Sequence, residues 1–225
     1  MIQSMAFDQL LQHIPSELLN ESGGVFYSGR NAWVVGRPLY VIGLNPGGCP
    51  EKLAAITLAN HTKTAADQDA DWSEYRDQPW NDAAPGTRGM APRVLHLMRQ
   101  LGLNPGEVPA SNLVFVRSRR ERGIEAMRMQ ALADACWPFH EHALGVIRPK
   151  AVLCFGKTVG AYVRRRLNAH ELVGEFVETN KRRWRSQAFK GDEGVRVVVA
   201  THPSIANWRA SPTDISGLVA DSMRW

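Results

Sequence analysis

The stretch LYVIGLNPGG occupies residues 39–48 and decides how the rest of the sequence is interpreted. Its first five residues are mostly apolar and rich in β-branched and aromatic side chains, which is typical of a buried strand. The proline and glycines that follow end the strand and form a loop. Because ligands of open α/β sheets bind at the carboxyl ends of parallel strands, this loop is the first candidate binding site.

Three further apolar runs have the same character, and helical patterns separate most of them. They occupy residues 112–116, 151–155 and 195–200. Alternating strands and helices predict an α/β fold with three layers, in which helices cover both faces of a central, mainly parallel four-stranded sheet. We expect one domain over residues 1–225.

Helices and a hairpin are predicted between and around these strands. The apolar spacing favours helices at residues 7–14, 92–101, 124–147 and 157–167 and after residue 213. A proline inside a helix removes a backbone donor, so we expect the longest helix to kink or break before Pro138. Residues 172–189 alternate in polarity instead, which predicts an antiparallel hairpin with a basic tip at 181–183.

The segment at about 49–90 is a long polar connection with acidic residues and three large aromatic ones, Trp72, Tyr75 and Trp80. Long connections inside compact domains are usually functional lids or disordered inserts. The aromatic residues favour an ordered lid over a pocket. The alternative is that they only pack the insert onto the domain.

Composition limits the class of protein. The 225 residues are 44% hydrophobic and 22% charged, as in ordinary globular proteins. No apolar run approaches the roughly 18 residues that cross a bilayer, and the first residues do not resemble a signal peptide, so we expect a cytoplasmic protein without membrane contact. The three cysteines predict no disulfide framework, and neither they nor the histidines predict a metal site.

The net charge is +5, and most of the basic residues are arginines. They form clusters at 117–122, 164–166 and 181–185. Guanidinium groups bind phosphates, and the release of counterions drives such association. Any one cluster is more simply a solvated face. Together they favour a nucleic acid as partner.

Two of the predicted strand ends carry residues that partly match nucleotide-binding motifs. Gly156-Lys157-Thr158 resembles the end of a P-loop, but the required earlier glycine is Ala151, and the intervening residues form a predicted strand. The loop after Leu44 has neither a P-loop lysine nor the glycine spacing of a dinucleotide fingerprint. Neither motif is therefore supported.

Four blocks of sequence carry a family resemblance instead. GLNPG at 43–47 follows the first strand and HPS at 202–204 follows the last; SNLV at 111–114 and the segment from CWP at 136–138 through residues 149–157 lie between them. Taken in chain order, these blocks resemble the uracil-DNA glycosylase superfamily. The resemblance extends from Leu39 to Trp208, except for the lid segment, which has no match. The asparagine of the first block is similar to the mismatch-specific and single-strand-selective branches.

The resemblance implies hydrolysis of the N-glycosidic bond of uracil or another modified base in DNA, a step of base excision repair, after the base has been flipped into a pocket. Asn45 occupies the position that orients the attacking water; an amide has no useful basicity, so it contributes by positioning. His202 occupies the position that donates a hydrogen bond to the negative charge developing on the base. No cofactor is implied.

The resemblance, the lid aromatics and the basic residues together predict further contacts. We expect the substrate to contact Gly43, Leu44, Pro46, Gly47, Asn112, Trp80 and Ser204, and the DNA backbone to contact Arg117, Arg119, Lys157 and Arg209. The partner is expected to be single-stranded or mismatched DNA, bound by a monomer.

Two departures from the family pattern concern the substrate. A large intercalating residue is expected soon after the serine of the last block, where this chain has Ala206; Ile205, Trp208 or Arg209 could replace it. The stacking aromatic is not near the first loop, and the lid aromatics could substitute. Two other functions therefore stay open: a non-catalytic module that binds nucleobases or nucleic acid, and a hydrolase of free nucleosides or nucleotides.

Overall fold

The structure is a computed structural model that describes residues 2–80, 82–118 and 126–224, with the backbone alone for 2–6 and 126. The strands are β1 (Leu39–Gly43), β2 (Ala110–Asn112), β3 (Ala151–Phe155), β4 (Glu171–Val177), β5 (Arg185–Lys190) and β6 (Arg196–Ala200). The α-helices are α1 (Ile2–Leu11), α2 (Leu58–Asp67), α3 (Glu74–Asp77), α4 (Ala91–Gln100), α5 (Ala126–Ile147), α6 (Lys157–Arg166) and α7 (Ser216–Met223).

All six strands form one mixed sheet in the order β2-β1-β3-β6-β5-β4. β1 pairs in parallel with β2 and β3, and β3 pairs in parallel with β6. The predicted number of strands, four, was too small, because the sheet has six. The hairpin predicted at 172–189 does form, but its second strand is hydrogen-bonded antiparallel to β6 and extends the sheet by two strands.

Alternate residues of the sheet face two separate hydrophobic clusters. Tyr40 and Ile42 of β1 belong to the cluster that includes α1, α5 and α6. Leu39 and Val41 belong to the cluster that includes α4 and α7. This period-two alternation follows from strand geometry. Helices consequently cover both faces of the sheet.

The second predicted strand is shorter and earlier than expected. Residues 113–116 are buried and apolar, yet their backbone bonds leave the sheet ladder: the amide of Leu113 donates to Gly43 at 2.8 Å and that of Val114 to Leu44 at 2.9 Å. A run that is buried on all sides carries no periodicity that could fix where a strand ends. The segment after β2 therefore packs against the first loop.

The sequence predicts a kink or a break before Pro138, and the break does not occur, because α5 is one helix with Pro138 inside it. Pro138 has no backbone donor for the carbonyl of Asp134, four residues earlier. Both residues lie on the exposed side of the helix.

The buried imidazole of His140 joins α5 to the sheet. Its Nε2 donates to the Asn112 carbonyl at 3.0 Å, and its Nδ1 lies 2.8 Å from the Tyr40 hydroxyl. Since the carbonyl can only accept, Nε2 carries the proton and the hydroxyl donates to Nδ1. Burial lowers the pKa of His140 to about 4, so the ring is neutral. This bond fixes the carboxyl end of β2.

Within the described ranges, no helix is long and apolar enough to span a membrane.

Candidate active site

A cleft of about 1110 Å³ lies at the carboxyl ends of β1, β2, β3 and β6. It gathers most of the site residues predicted from the sequence: Gly43, Leu44, Asn45, Gly47, Trp80, Asn112, Lys157, His202 and Ser204. Asn45 and His202 are 157 positions apart in sequence, and the parallel register brings their loops to one edge of the sheet. The cleft is as large as the larger pockets that bind small molecules.

The amide orientation of Asn45 is set by its neighbours. Its Nδ2 donates to the Ser118 hydroxyl at 2.8 Å, to the Pro46 carbonyl at 3.1 Å and to the Val116 carbonyl at 3.4 Å. Carbonyl oxygens only accept, so the nitrogen must be the end that faces them. Asn45 lines the cleft, and these bonds use its amide nitrogen and leave Oδ1 as the acceptor end of the side chain.

The tautomer of His202 is set in a similar way. The backbone N–H of Ser204 donates to His202 Nδ1 at 3.0 Å, so Nδ1 bears no proton and the neutral ring carries its proton on Nε2. The ring lies edge-on to Phe155, with centroids 6.0 Å apart. His202 thus has a fixed N–H donor at the opposite end of the ring from its anchoring bond.

The close approach of Asn112 to β1 explains Gly43. The two residues are partners in the parallel register, and a Cβ on Gly43 would lie 2.3 Å from Asn112 Oδ1. Asn112 is only 7% exposed but lines the cleft, and while burial raises the pKa of the neighbouring Tyr27 hydroxyl, Asn112 lowers it. Any side chain at position 43 would displace this amide. The close packing of Gly43 therefore sets the position of the Asn112 side chain in the cleft wall.

The rest of the first loop is held from behind. Pro46 is buried, and its carbonyl accepts from the Ser118 amide at 3.1 Å. The Arg117 guanidinium donates to the Gly47 carbonyl and to Ser22 Oγ. Gly48 has φ +110, a conformation that favours glycine. Pro46 and Arg117 therefore support the loop rather than line the cleft.

The other predicted DNA contacts are dispersed. Lys157, the first residue of α6, lines the cleft. Arg209 is exposed on the surface but outside the cleft lining. Arg119 lies outside the described residues.

The three lid aromatics have different environments. Trp72 is buried at 7% exposure and packs the insert onto the domain. Tyr75 is buried at 4% exposure but contributes to the cleft wall. Trp80 lines the cleft and is 37% exposed. Both interpretations of the insert therefore apply, each to different side chains.

The loop after His202 buries both the expected wedge position, Ala206, and one of the suggested replacements, Trp208. Ala206 and Trp208 have no exposed surface. The Trp208 indole donates to the Thr201 carbonyl at 3.1 Å and packs edge-on against Phe155. Ile205, at 56% exposure, is the large apolar side chain of this loop that reaches the cleft.

A group of ionisable side chains lies behind the lid. Burial raises the pKa of the Glu74 carboxyl to about 7, although the nearby Arg117 charge opposes the shift. Burial also raises the pKa of Tyr27, which adjoins Glu74 and Arg117, and lowers that of His61 to about 4. Tyr75 connects this cluster to the cleft wall, since its ring centroid lies 6.4 Å from that of Tyr27.

Sequence reasoning missed several cleft residues. Ser118 was adjacent to a predicted strand end, but nothing in the sequence linked it to Asn45. Arg88 and the residues 183–185 also line the cleft. The basic character of the hairpin tip was visible; its position over the cleft depends on how β5 joins β6.

Among the described residues, no three His, Cys, Asp or Glu side chains are grouped to hold a metal ion. Comparison with protein-family models and with curated proteins gives no match. The functional assignment therefore depends on the site itself and on the sequence resemblance.

Proposed function

We propose that the protein is a DNA glycosylase that hydrolyses the N-glycosidic bond of uracil or another modified base in base excision repair. The observation that carries the proposal is the pair of fixed polar groups in one cleft: an amide whose nitrogen is occupied by Ser118 and two carbonyls, and an imidazole whose Nδ1 is occupied by the Ser204 amide. One group can accept a hydrogen bond from water, and the other can donate to an anion.

In the proposed reaction, the target base leaves the stack and enters the cleft. Asn45 Oδ1 accepts a hydrogen bond from a water and holds it near the sugar carbon. The water oxygen bonds to that carbon while the carbon–nitrogen bond breaks, and the base leaves with the bonding electrons. The water proton passes to solvent. His202 Nε2–H stabilises the departing anion, a contribution of the order of 3–4 kcal/mol for one preorganised donor.

Asn112 is the proposed reader of the base edge. Its amide is held by close packing on Gly43, so it offers its donor and acceptor atoms from a fixed position. A buried polar group left unpaired by the wrong base costs more than a lost apolar contact. Selection among bases is therefore assigned to Asn112 more than to the apolar wall.

The proposal is tested with synthetic oligonucleotides, single-stranded and mismatched, that carry different altered bases and are scored for abasic sites. We expect abasic sites with at least one altered base, and loss of activity in His202→Ala. Tight binding of the oligonucleotides without abasic sites would instead identify a non-catalytic binding module. Hydrolysis of free nucleosides, with oligonucleotides left intact, would identify a nucleoside hydrolase.

A further inference from the structure

We infer that the hairpin tip, residues 180–184 between β4 and β5, is a binding element for single-stranded nucleic acid, in which Trp184 stacks on a base beside the one that enters the cleft. The inference rests on the proposed function for its choice of nucleic acid as ligand. It assigns to the tip a role that the loop after His202 does not fill.

Exposed apolar side chains converge on this place. Eight large apolar side chains are exposed in the described part of the chain. Three of them, Trp80, Trp184 and Ile205, line the same cleft at the carboxyl ends of the strands. Trp184 is 41% exposed. Apolar side chains that gather at a polar-rimmed cleft mark a binding surface, whereas scattered ones need no explanation.

The tip is held rigidly against the loop after His202. Arg182 forms an ion pair with Glu178 at 3.0 Å and donates to the Ile205 carbonyl at 2.8 Å. Its guanidinium carbon lies 4.3 Å from the centroid of the Trp184 ring. Glu178 is only 1% exposed, and its amide donates to the Trp184 carbonyl at 2.8 Å, which closes the hairpin. Trp184 is therefore fixed before a ligand arrives, which reduces the entropy cost of stacking.

The charges around the cleft match a polyanion. Arg88, Lys157, Arg183 and Arg185 line it, and none of the described lining residues is an aspartate or glutamate. Arg185 is paired with Glu175 outside the lining. Cations alternating with aromatic faces are the combination that binds single-stranded nucleic acid, because phosphates meet the cations and unpaired bases meet the rings. A duplex hides its base faces and would gain little from Trp184.

The test uses an unmodified, mixed-sequence single strand and the matched duplex, so that no excisable base is present. We expect Trp184→Ala to weaken binding of the single strand by at least about five-fold, as loss of one base–aromatic stack does. The control is Val173→Ala, an exposed apolar side chain of β4 outside the cleft lining. It should leave the affinity unchanged, and the duplex should respond to neither variant.

A second pair of variants separates stacking from folding. Trp184→Phe keeps an aromatic face and should retain most of the affinity, whereas Trp184→Leu should lose it at an equal melting temperature. Equal affinities for Trp184→Ala and Val173→Ala, or for the Phe and Leu variants, would overturn the inference. So would competition by polyglutamate as strong as competition by the single strand.

The outcome is independent of catalysis. If Trp184→Ala weakens binding but no altered base is excised by the wild type, the role of the tip stands and the glycosylase proposal fails. If bases are excised and Trp184→Ala binds the single strand normally, the role of the tip fails and the glycosylase proposal stands.

Discussion

The side-chain nitrogen of Asn45 lies 2.8 Å from the hydroxyl oxygen of Ser118, 73 residues further along the chain. Together with the Pro46 and Val116 carbonyls, this hydroxyl determines which end of the Asn45 amide faces the cleft. Ser118 is itself held near the first loop by its own amide, which donates to the Pro46 carbonyl at 3.1 Å. Ser118 is thus a positioning residue for Asn45.

Ser118→Ala should reduce kcat of base excision by about five-fold with little change in KM, because a typical hydrogen bond contributes about 1 kcal/mol. The reason for the split is that, in the proposed reaction, Asn45 holds the water and does not bind the base. Single-turnover rates and KM, measured with the melting temperature, check this. A changed KM at constant kcat would place Ser118 in substrate binding instead.

Gly43→Ala should abolish most activity, because the new Cβ would lie 2.3 Å from Asn112 Oδ1 and push the amide aside. A small displacement of a positioned group can cost about 100-fold in rate. The matched control is Gly145→Ala in α5, where an added Cβ meets nothing within 4 Å. Normal excision by the Gly43 variant would show that the placement of Asn112 is not needed.

The stability of the protein should decrease in acid because of His140. Burial lowers the pKa of His140 to about 4 from its ordinary value of 6.5, so the unfolded chain binds the proton first. The contribution is fully present above about pH 6.5 and is lost as the pH falls towards 4, an effect of about 3 kcal/mol. His61, with its pKa also lowered to about 4, adds a loss in the same range.

His140→Gln keeps a donor and an acceptor but removes the titration. Its unfolding free energy, measured in urea at several pH values, should decrease less between pH 7 and 4 than that of the wild type. The His61 contribution is common to both proteins and drops out of the difference. Parallel curves for the two proteins would exclude His140 as a source of the acid sensitivity.

Excision should be faster from single-stranded and mispaired targets than from the same base in a stable pair. Ala206 and Trp208 are fully buried and cannot fill the space left by a flipped base. Unstacking then costs a few kcal/mol that are not recovered, which corresponds to at least about ten-fold in rate. Trp80→Ala should slow excision from both kinds of strand. Equal wild-type rates on paired and unpaired substrates would show that Ile205 or the lid replaces the wedge.

The layers of the fold and the hairpin could be predicted from the sequence because both depend on local patterns. The apolar runs at 39–43 and 151–155 have the length and composition of buried strands, and both are strands. The extent of the sheet could not be predicted, because it depends on the pairing of β5 with β6, which local alternation does not specify. The end of β2 was misplaced because residues 113–116 are buried throughout.

The candidate site divides in the same way. Asn45 and His202 follow strands, Asn112 is the last residue of β2, and all three line one cleft at the carboxyl edge that the parallel order predicts. Ser118 was not predicted because its bond to Asn45 spans 73 residues of chain. Trp184 was not predicted because its position at the cleft depends on the pairing of β5 with β6. The burial of Trp208 also could not be predicted, since an indole beside a loop can equally be exposed or packed. In this structure, the edge-on contact with Phe155 accounts for the buried position of the Trp208 indole.

Hydrolysis of a glycosidic bond by Asn45 and His202 is tested most directly by mass spectrometry of single-stranded oligonucleotides, each carrying one altered base, before and after incubation. We predict that for at least one base the strand loses the base and gains a hydroxyl group with its backbone intact, while an equal amount of free base appears. The Asn45→Ala/His202→Ala double variant, folded and with unchanged affinity for unmodified strand, should leave that oligonucleotide intact. Unchanged masses for every altered base with the wild type, or the same loss of base with the double variant, would contradict the assignment.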